Sequence, residues 1–174
     1  RKSWTTSDVY IGRNIFHHDR ENAVDLKTYE NCVVSENRMY GYRSTSSSEG
    51  AAFVVHYNPR WTWVLNNEIY DSEWGLANTG STDTYFIGNL IYDIQRNGMR
   101  DPSSVYAHGK GIHVRNSART HVVNNTIFNT ATAIGSTSTP LEIVNNIIST
   151  RNESSGYDIQ FENSNVARNY QRML

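Results

Sequence analysis

A short phrase recurs along the chain and constrains the fold more than any other feature: a β-branched pair, a polar residue, Asn, any residue, then an aliphatic and an aromatic side chain. Its copies include Val33-Val34-Ser35-Glu36-Asn37-Arg38-Met39-Tyr40, Trp63-Val64-Leu65-Asn66-Asn67-Glu68-Ile69-Tyr70 and Phe86-Ile87-Gly88-Asn89-Leu90-Ile91-Tyr92. Val122-Val123-Asn124-Asn125-Thr126-Ile127-Phe128 and Ile143-Val144-Asn145-Asn146-Ile147-Ile148 follow, with a degenerate first copy from Tyr10 to Phe16 and a partial last one from Asn165 to Tyr170. Anchored on the aliphatic residue, the copies fall at Ile15, Met39, Ile69, Ile91, Ile127 and Ile148, so the gaps are 24, 30, 22, 36 and 21. The basic period is about 21 to 24 residues, with two insertions.

Leucine-rich repeats, helical solenoids and parallel β-helices compete at that period. Leu is scarce and no Leu-x-x-Leu-x-Leu consensus is present. Apolar residues come in short β-branched and aromatic runs broken by Asn, Gly and Ser, without the longer 3.6-residue periodicity of helices. Three short strands with turns use about 22 residues, and each such coil hydrogen-bonds to the next about 4.8 Å along the axis. The expected fold is all-β, a right-handed parallel β-helix of six to seven coils forming one domain over residues 1–174.

First strands read Ala23 to Lys27, Ala52 to His56, Gly75 to Asn78, Gly111 to Arg115, Ala133 to Ser136 and Tyr157 to Gln160. The second strand ends at the repeated Asn, which is expected to take the left-handed conformation at a sharp corner and to stack on its equivalents as an amide ladder. Insertions at 41–50 and 94–110 follow the third strand. Neither end shows an amphipathic cap, so the coil ends call for flanking coils of a longer chain or for end-to-end self-association.

Composition narrows the function classes. Sixteen Lys+Arg against seventeen Asp+Glu give a net charge of -1, which leaves no bulk positive field for nucleic acid. No apolar run approaches the roughly 20 residues of a membrane-spanning helix. The single cysteine, Cys32, allows no internal disulfide, and no zinc spacing is present.

The Asn ladder, the coil length and the small second turn resemble the right-handed parallel β-helix of the pectate-lyase-like superfamily, over roughly residues 8–170. That resemblance implies a polysaccharide partner along the outer face of the first strands, bordered by loops inserted before them, and an extracellular, periplasmic or cell-surface location. Members differ in chemistry, so the activity must come from the site.

Strand alternation, with Val24 and Leu26 as core, exposes Asp25, Lys27, Val54, His56, Asn78, His113, Arg115, Ser136, Asp158 and Gln160 in a row. Elimination at a uronate needs a base for the C5 proton and a cation beside the carboxylate. Lys27 resembles the outward base lysine of β-helical lyases, its pKa expected to be lowered by a neighbouring cation. His56 would be proton donor or second base, and Asp25, Arg43, Asn78, His113, Arg115 and Trp74 would bind substrate. Where such lyases carry an arginine one coil on, this chain has His56. No metal site is evident; Asp71 and Asp93, each after an Ile-Tyr pair on adjacent coils, are the nearest thing to a calcium or glycosidase carboxylate pair. The best reading is a polysaccharide lyase acting on uronate polymers. The alternatives are a glycoside hydrolase and a non-catalytic carbohydrate-binding or assembly module that uses Trp61, Trp63 and Trp74.

Overall fold

The structure is a computed structural model, and it describes residues 6–45, 49–95, 109–116, 119–138, 140–150, 157–161 and 171–172. Most of the insertion at 94–110, the partial repeat at 165–170 and Trp4 lie outside the described residues.

Three parallel sheets stack coil upon coil. First strands form one sheet from β3 (Val24–Lys27), β6 (Ala51–His56), β9 (Trp74–Asn78), β12 (Lys110–Val114), β15 (Thr132–Ser136) and β18 (Tyr157–Phe161). Second strands are β1 (Thr6–Gly12), β4 (Tyr29–Ser35), β7 (Arg60–Leu65), β10 (Thr82–Ile87), β13 (Thr120–Val123), β16 (Leu141–Val144) and β19 (Gln171–Arg172). Third strands are β2 (Ile15–His17), β5 (Arg38–Tyr40), β8 (Glu68–Ser72), β11 (Leu90–Ile94), β14 (Thr126–Thr130) and β17 (Ile147–Ser149). The fold is a right-handed parallel β-helix of about six coils. None of the described residues forms a helix long and apolar enough to cross a membrane.

One row from each sheet fills the interior. Phe53, Leu76, Ile112 and Ile134 come from the first sheet, Val34, Val64, Phe86 and Val122 from the second, and Met39, Ile69, Ile91 and Ile127 from the third; all are buried. Burying each such side chain contributes roughly 1.5–3 kcal/mol, which is why β-branched and aliphatic residues recur at these phases. The first copy of the repeat is offset by one from the sequence expectation. Phe16, not Ile15, is the register partner of Met39, and the first gap is therefore 39 − 16 = 23.

The Asn ladder runs through Asn14, Asn37, Asn67, Asn89, Asn125 and Asn146. Both the backbone N–H and the side-chain Nδ2 of Asn67 donate to Asn89 Oδ1 at 3.0 Å, and Nδ2 also donates to the Val34 carbonyl at 3.0 Å. The ladder residue is not the left-handed one. Positive φ falls on the residue before it: Arg13, Glu36, Asn66, Gly88, Asn124 and Asn145, at 52° to 68°. The corner residue turns the chain, and the ladder Asn behind it is thereby aimed inward to satisfy the backbone of the bend.

A second device shapes the first sheet. Ala52 and Phe53 both belong to the main core, whereas Ala51 and Val54 join a separate cluster with Trp74 and Ala77. Two successive inward residues break the simple alternation here, and the register of Ala52 holds only the small residues Gly75, Gly111 and Ala133. A Cβ on Gly75 would lie 2.3 Å from the Gly111 carbonyl oxygen, so the approach of β9 to β12 requires glycine.

Candidate functional site

Register across the first sheet decides which side chains share its outer face. Asp25, Val54, Ala77, His113, Gly135 and Gln160 form one outward row. Lys27 pairs with His56, and the backbone bonds Thr79 N–H to the Val55 carbonyl and Arg115 N–H to the Asn78 carbonyl carry that row on through Thr79 to Arg115. Lys27 and His56 are thus neighbours about 5 Å apart, and Arg115 stands three coils from Lys27, about 14 Å.

Asn78 and Ser136 were expected outward and instead face in, because they share the register of Val55 and Val114. A one-residue difference of phase moves a side chain to the other face. Asn78 is 0% exposed and fully engaged: Nδ2 donates to Thr120 Oγ1 at 2.9 Å, and Oδ1 accepts from the Ser81 N–H at 3.0 Å and the Ser81 hydroxyl at 2.9 Å. It braces a turn, and its burial keeps it from a ligand at the outer face.

At the N-terminal end of the face the expected cluster is assembled and open to solvent. Asp25 joins its two members: Oδ1 lies 2.6 Å from His56 Nε2, and Oδ2 lies 2.7 Å from Lys27 Nζ. Facing a carboxylate that accepts, Nε2 donates, an arrangement that in the neutral imidazole leaves the lone pair on Nδ1. The ring stacks on Tyr57 at 4.1 Å, and the Lys27 ammonium lies 5.9 Å from the Tyr57 ring centroid. Tyr57 is 65% exposed and sits at φ 63°, so the corner after β6 pushes its phenol into solvent. No sequence pattern marks Tyr57; its place beside His56 and Lys27 comes from that backbone conformation.

Lys27 departs from expectation in its electrostatics. Its ammonium is held above the ordinary lysine value, chiefly by the hydrogen bond to Asp25. Partial desolvation opposes this and loses. The Asp25 carboxylate, not a neighbouring cation, sets this shift and favours the ammonium form of Lys27.

Further along, the same face is closed. Trp74 and His113, expected to meet substrate, are both 0% exposed, and Lys110 beside them is 2% exposed. The His113 ring meets Trp74 edge-on at 4.5 Å, and neither of its ring nitrogens has a hydrogen-bond partner among the described residues. Burial first, then the charges of Lys110 and Arg115, hold His113 well below the usual imidazole range. β12 begins at Lys110, one residue before the Gly111 at which the sequence pattern opens this strand, and so brings Lys110 beside Trp74 and His113. Arg115 is partly exposed and its Nη2 lies 3.3 Å from Glu49 Oε1.

On the neighbouring corner, Arg43 is drawn to Asp71, with Nη2 to Oδ1 at 2.6 Å, while Asp93 accepts from Asn129 Nδ2. Asp71 and Asp93 do occupy adjacent coils, flanked by the Tyr70 and Tyr92 register pair. They do not fit calcium: one carboxylate is answered by a guanidinium and the other by an amide, and no group of three or more His, Cys, Asp or Glu among the described residues could hold a metal. Both residues have positive φ, in line with Asn129, and serve as corner residues.

Aromatic side chains mostly stack on one another. Tyr40, Tyr70, Tyr92 and Phe128 form a ladder with centroids 4.8 to 5.0 Å apart and planes within 8°. Trp63, Tyr85 and His121 form another, at 5.6 and 4.5 Å. Rings that cover each other's faces offer mainly edges to a sugar, which among the described residues leaves Tyr10, Tyr57 and Trp61, 61%, 65% and 44% exposed, as open aromatic surfaces near the N-terminal cluster.

Compared with protein families, with curated proteins and with solved structures, the chain matches none of them.

Proposed function

We propose that this β-helix acts on uronate-containing polysaccharide by β-elimination, with the Asp25–His56 pair and Lys27 as its reactive cluster. The observation that carries the reading is Asp25 bridging His56 Nε2 at 2.6 Å and Lys27 Nζ at 2.7 Å on an open strand face. Asp25 orients the imidazole and leaves the Nδ1 lone pair for the substrate. Lys27, kept protonated by its partner, neutralises the uronate carboxylate, which acidifies the C5 proton. His56 Nδ1 takes that proton, the C5–H electron pair becomes the C4–C5 double bond, and the C4–O bond breaks. Its electron pair leaves on the glycosidic oxygen, which takes a proton from the Tyr57 hydroxyl. The resemblance to pectate-lyase-like proteins supports the substrate class and a location outside the cell. The guanidinium and amide partners of Asp71 and Asp93 and the burial of Trp74 give the hydrolase and binding-module readings less support.

Incubation with polygalacturonate, alginate and chondroitin sulfate, with and without calcium, tests this through ultraviolet absorbance of the unsaturated product. Absorbance is expected to rise with one polymer, to vanish in His56→Ala and to fall about 100-fold or more in Lys27→Ala, the usual scale for losing a general base or an oriented cation. Folded protein that releases no unsaturated product from any polymer overturns the proposal, and so does a fully active His56→Ala.

A further inference from the structure

The corner between the second and third sheets, on the N-terminal coils, holds a groove of about 420 Å³ lined among others by Arg13, Ile15, Glu36, Arg38, Asn66 and Glu68. Clefts that take small ligands run from about 300 to 1,000 Å³. Two ion pairs step diagonally across its wall: Arg13 Nε to Glu36 Oε2 at 2.8 Å, and Arg38 Nε to Glu68 Oε2 at 2.7 Å. The second glutamate is further oriented by the Tyr92 hydroxyl, which donates to Oε1 at 2.9 Å.

The backbone marks this place. Four of the six stacked corners use residues that accept the left-handed region readily: Asn66, Gly88, Asn124 and Asn145. The other two are Arg13 at φ 60° and Glu36 at φ 56°, side chains for which that conformation is strained. The strained positions are the two that form the outer ion pair of the groove. Exposed pairs of this kind contribute little to folding, so the pair itself does not explain the choice of residues.

We propose that this groove binds a neutral sugar, with vicinal hydroxyls bridged by the guanidinium and carboxylate forks of Arg13, Glu36, Arg38 and Glu68. Two cations and two anions balance, which suits an uncharged ligand. Each fork offers paired donors or acceptors to a diol, and Ile15, 63% exposed, supplies an apolar surface for the C–H face of the ring. The site belongs to a different part of the surface from His56 and does not depend on elimination chemistry there.

Titration of the isotope-labelled chain with cellohexaose, maltohexaose and mannohexaose tests the proposal through the Arg Nε–H and Asn66 signals. At least one sugar is expected to shift these signals saturably, and Arg38→Met to weaken that binding about tenfold or more, with the melting temperature unchanged. Arg13→Asn, which installs the residue used at other corners, is expected to raise the melting temperature while weakening binding about as much. The proposal fails if none of the three sugars moves the signals, if polygalacturonate moves them instead, or if Arg13→Asn binds normally or is less stable. Loss of lyase activity with the groove signals intact would count against the elimination reading alone.

Discussion

His113 shows how much a single side chain can be altered by its surroundings. Its imidazole is buried, lacks partners for both nitrogens among the described residues and is held neutral by burial and by Lys110 and Arg115. A histidine whose folded pKa is depressed contributes stability above its unfolded value near 6.5 and loses it as pH falls through the folded value, because the unfolded chain takes up the proton first. Unfolding free energy is therefore expected to drop below about pH 6.5 with a slope from this group approaching 1.4 kcal/mol per pH unit. Urea unfolding between pH 7.5 and pH 5 checks it: His113→Leu should show a flatter acid limb, and equal slopes in the two proteins would contradict the assignment. Strand alternation does place His113 on an outward row. Its burial was not legible, since nothing in β12 indicates that the face over Trp74 and Lys110 is closed.

Among the elements, the stacked corner carries the most specific interactions. The Asn67 side chain takes part in four hydrogen bonds: Oδ1 accepts from the Asn37 N–H and Nδ2, and Nδ2 donates to Asn89 Oδ1 and to the Val34 carbonyl. At about 1 kcal/mol each, with buried groups left unpaired, Asn67→Ala is expected to cost about 3–4 kcal/mol. Asn14, exposed at the end of the ladder, should cost about 1–2 kcal/mol on the same change. Midpoints of urea unfolding at unchanged slope distinguish the two. The spacing of the asparagines made the ladder legible. Which residue of Glu36-Asn37 or Asn66-Asn67 is left-handed was not, because Asn66-Asn67 offers the same residue twice, Glu36-Asn37 points to the wrong one, and only the closed coil assigns one to the turn and the other to the stack.

At the scale of the molecule, stability follows position along the axis. Each coil touches only its neighbours, so a coil is held as firmly as they cover it, and among the described residues the first coil is covered least. Val9, Ile11, Phe16 and Leu26 of that first coil are accordingly only partly buried, whereas Val64, Ile69 and Leu76 two coils on are sealed. Hydrogen exchange should report this as a gradient, with amides of β7 and β10 slower than those of β1 by at least tenfold. Uniform protection from β1 to β10 would mean that the coils unfold as one unit.

The sequence by itself determined the architecture. An Asn, an aliphatic and an aromatic residue at a period near 22 can bury their apolar members and pair their amides only by stacking in register, and that requirement is local and repeated in every coil. It also determined that Lys27 and His56 are neighbours, since each stands three residues after a buried apolar residue of its first strand, Val24 or Phe53. Tertiary structure decided what those neighbours are. Whether a lysine is a base or a clamped cation depends on Asp25 lying 2.7 Å from its ammonium, and whether a tryptophan is a platform or a packed wall depends on what covers it. Those are properties of distance and solvent access between segments far apart in sequence, and no repeat records them.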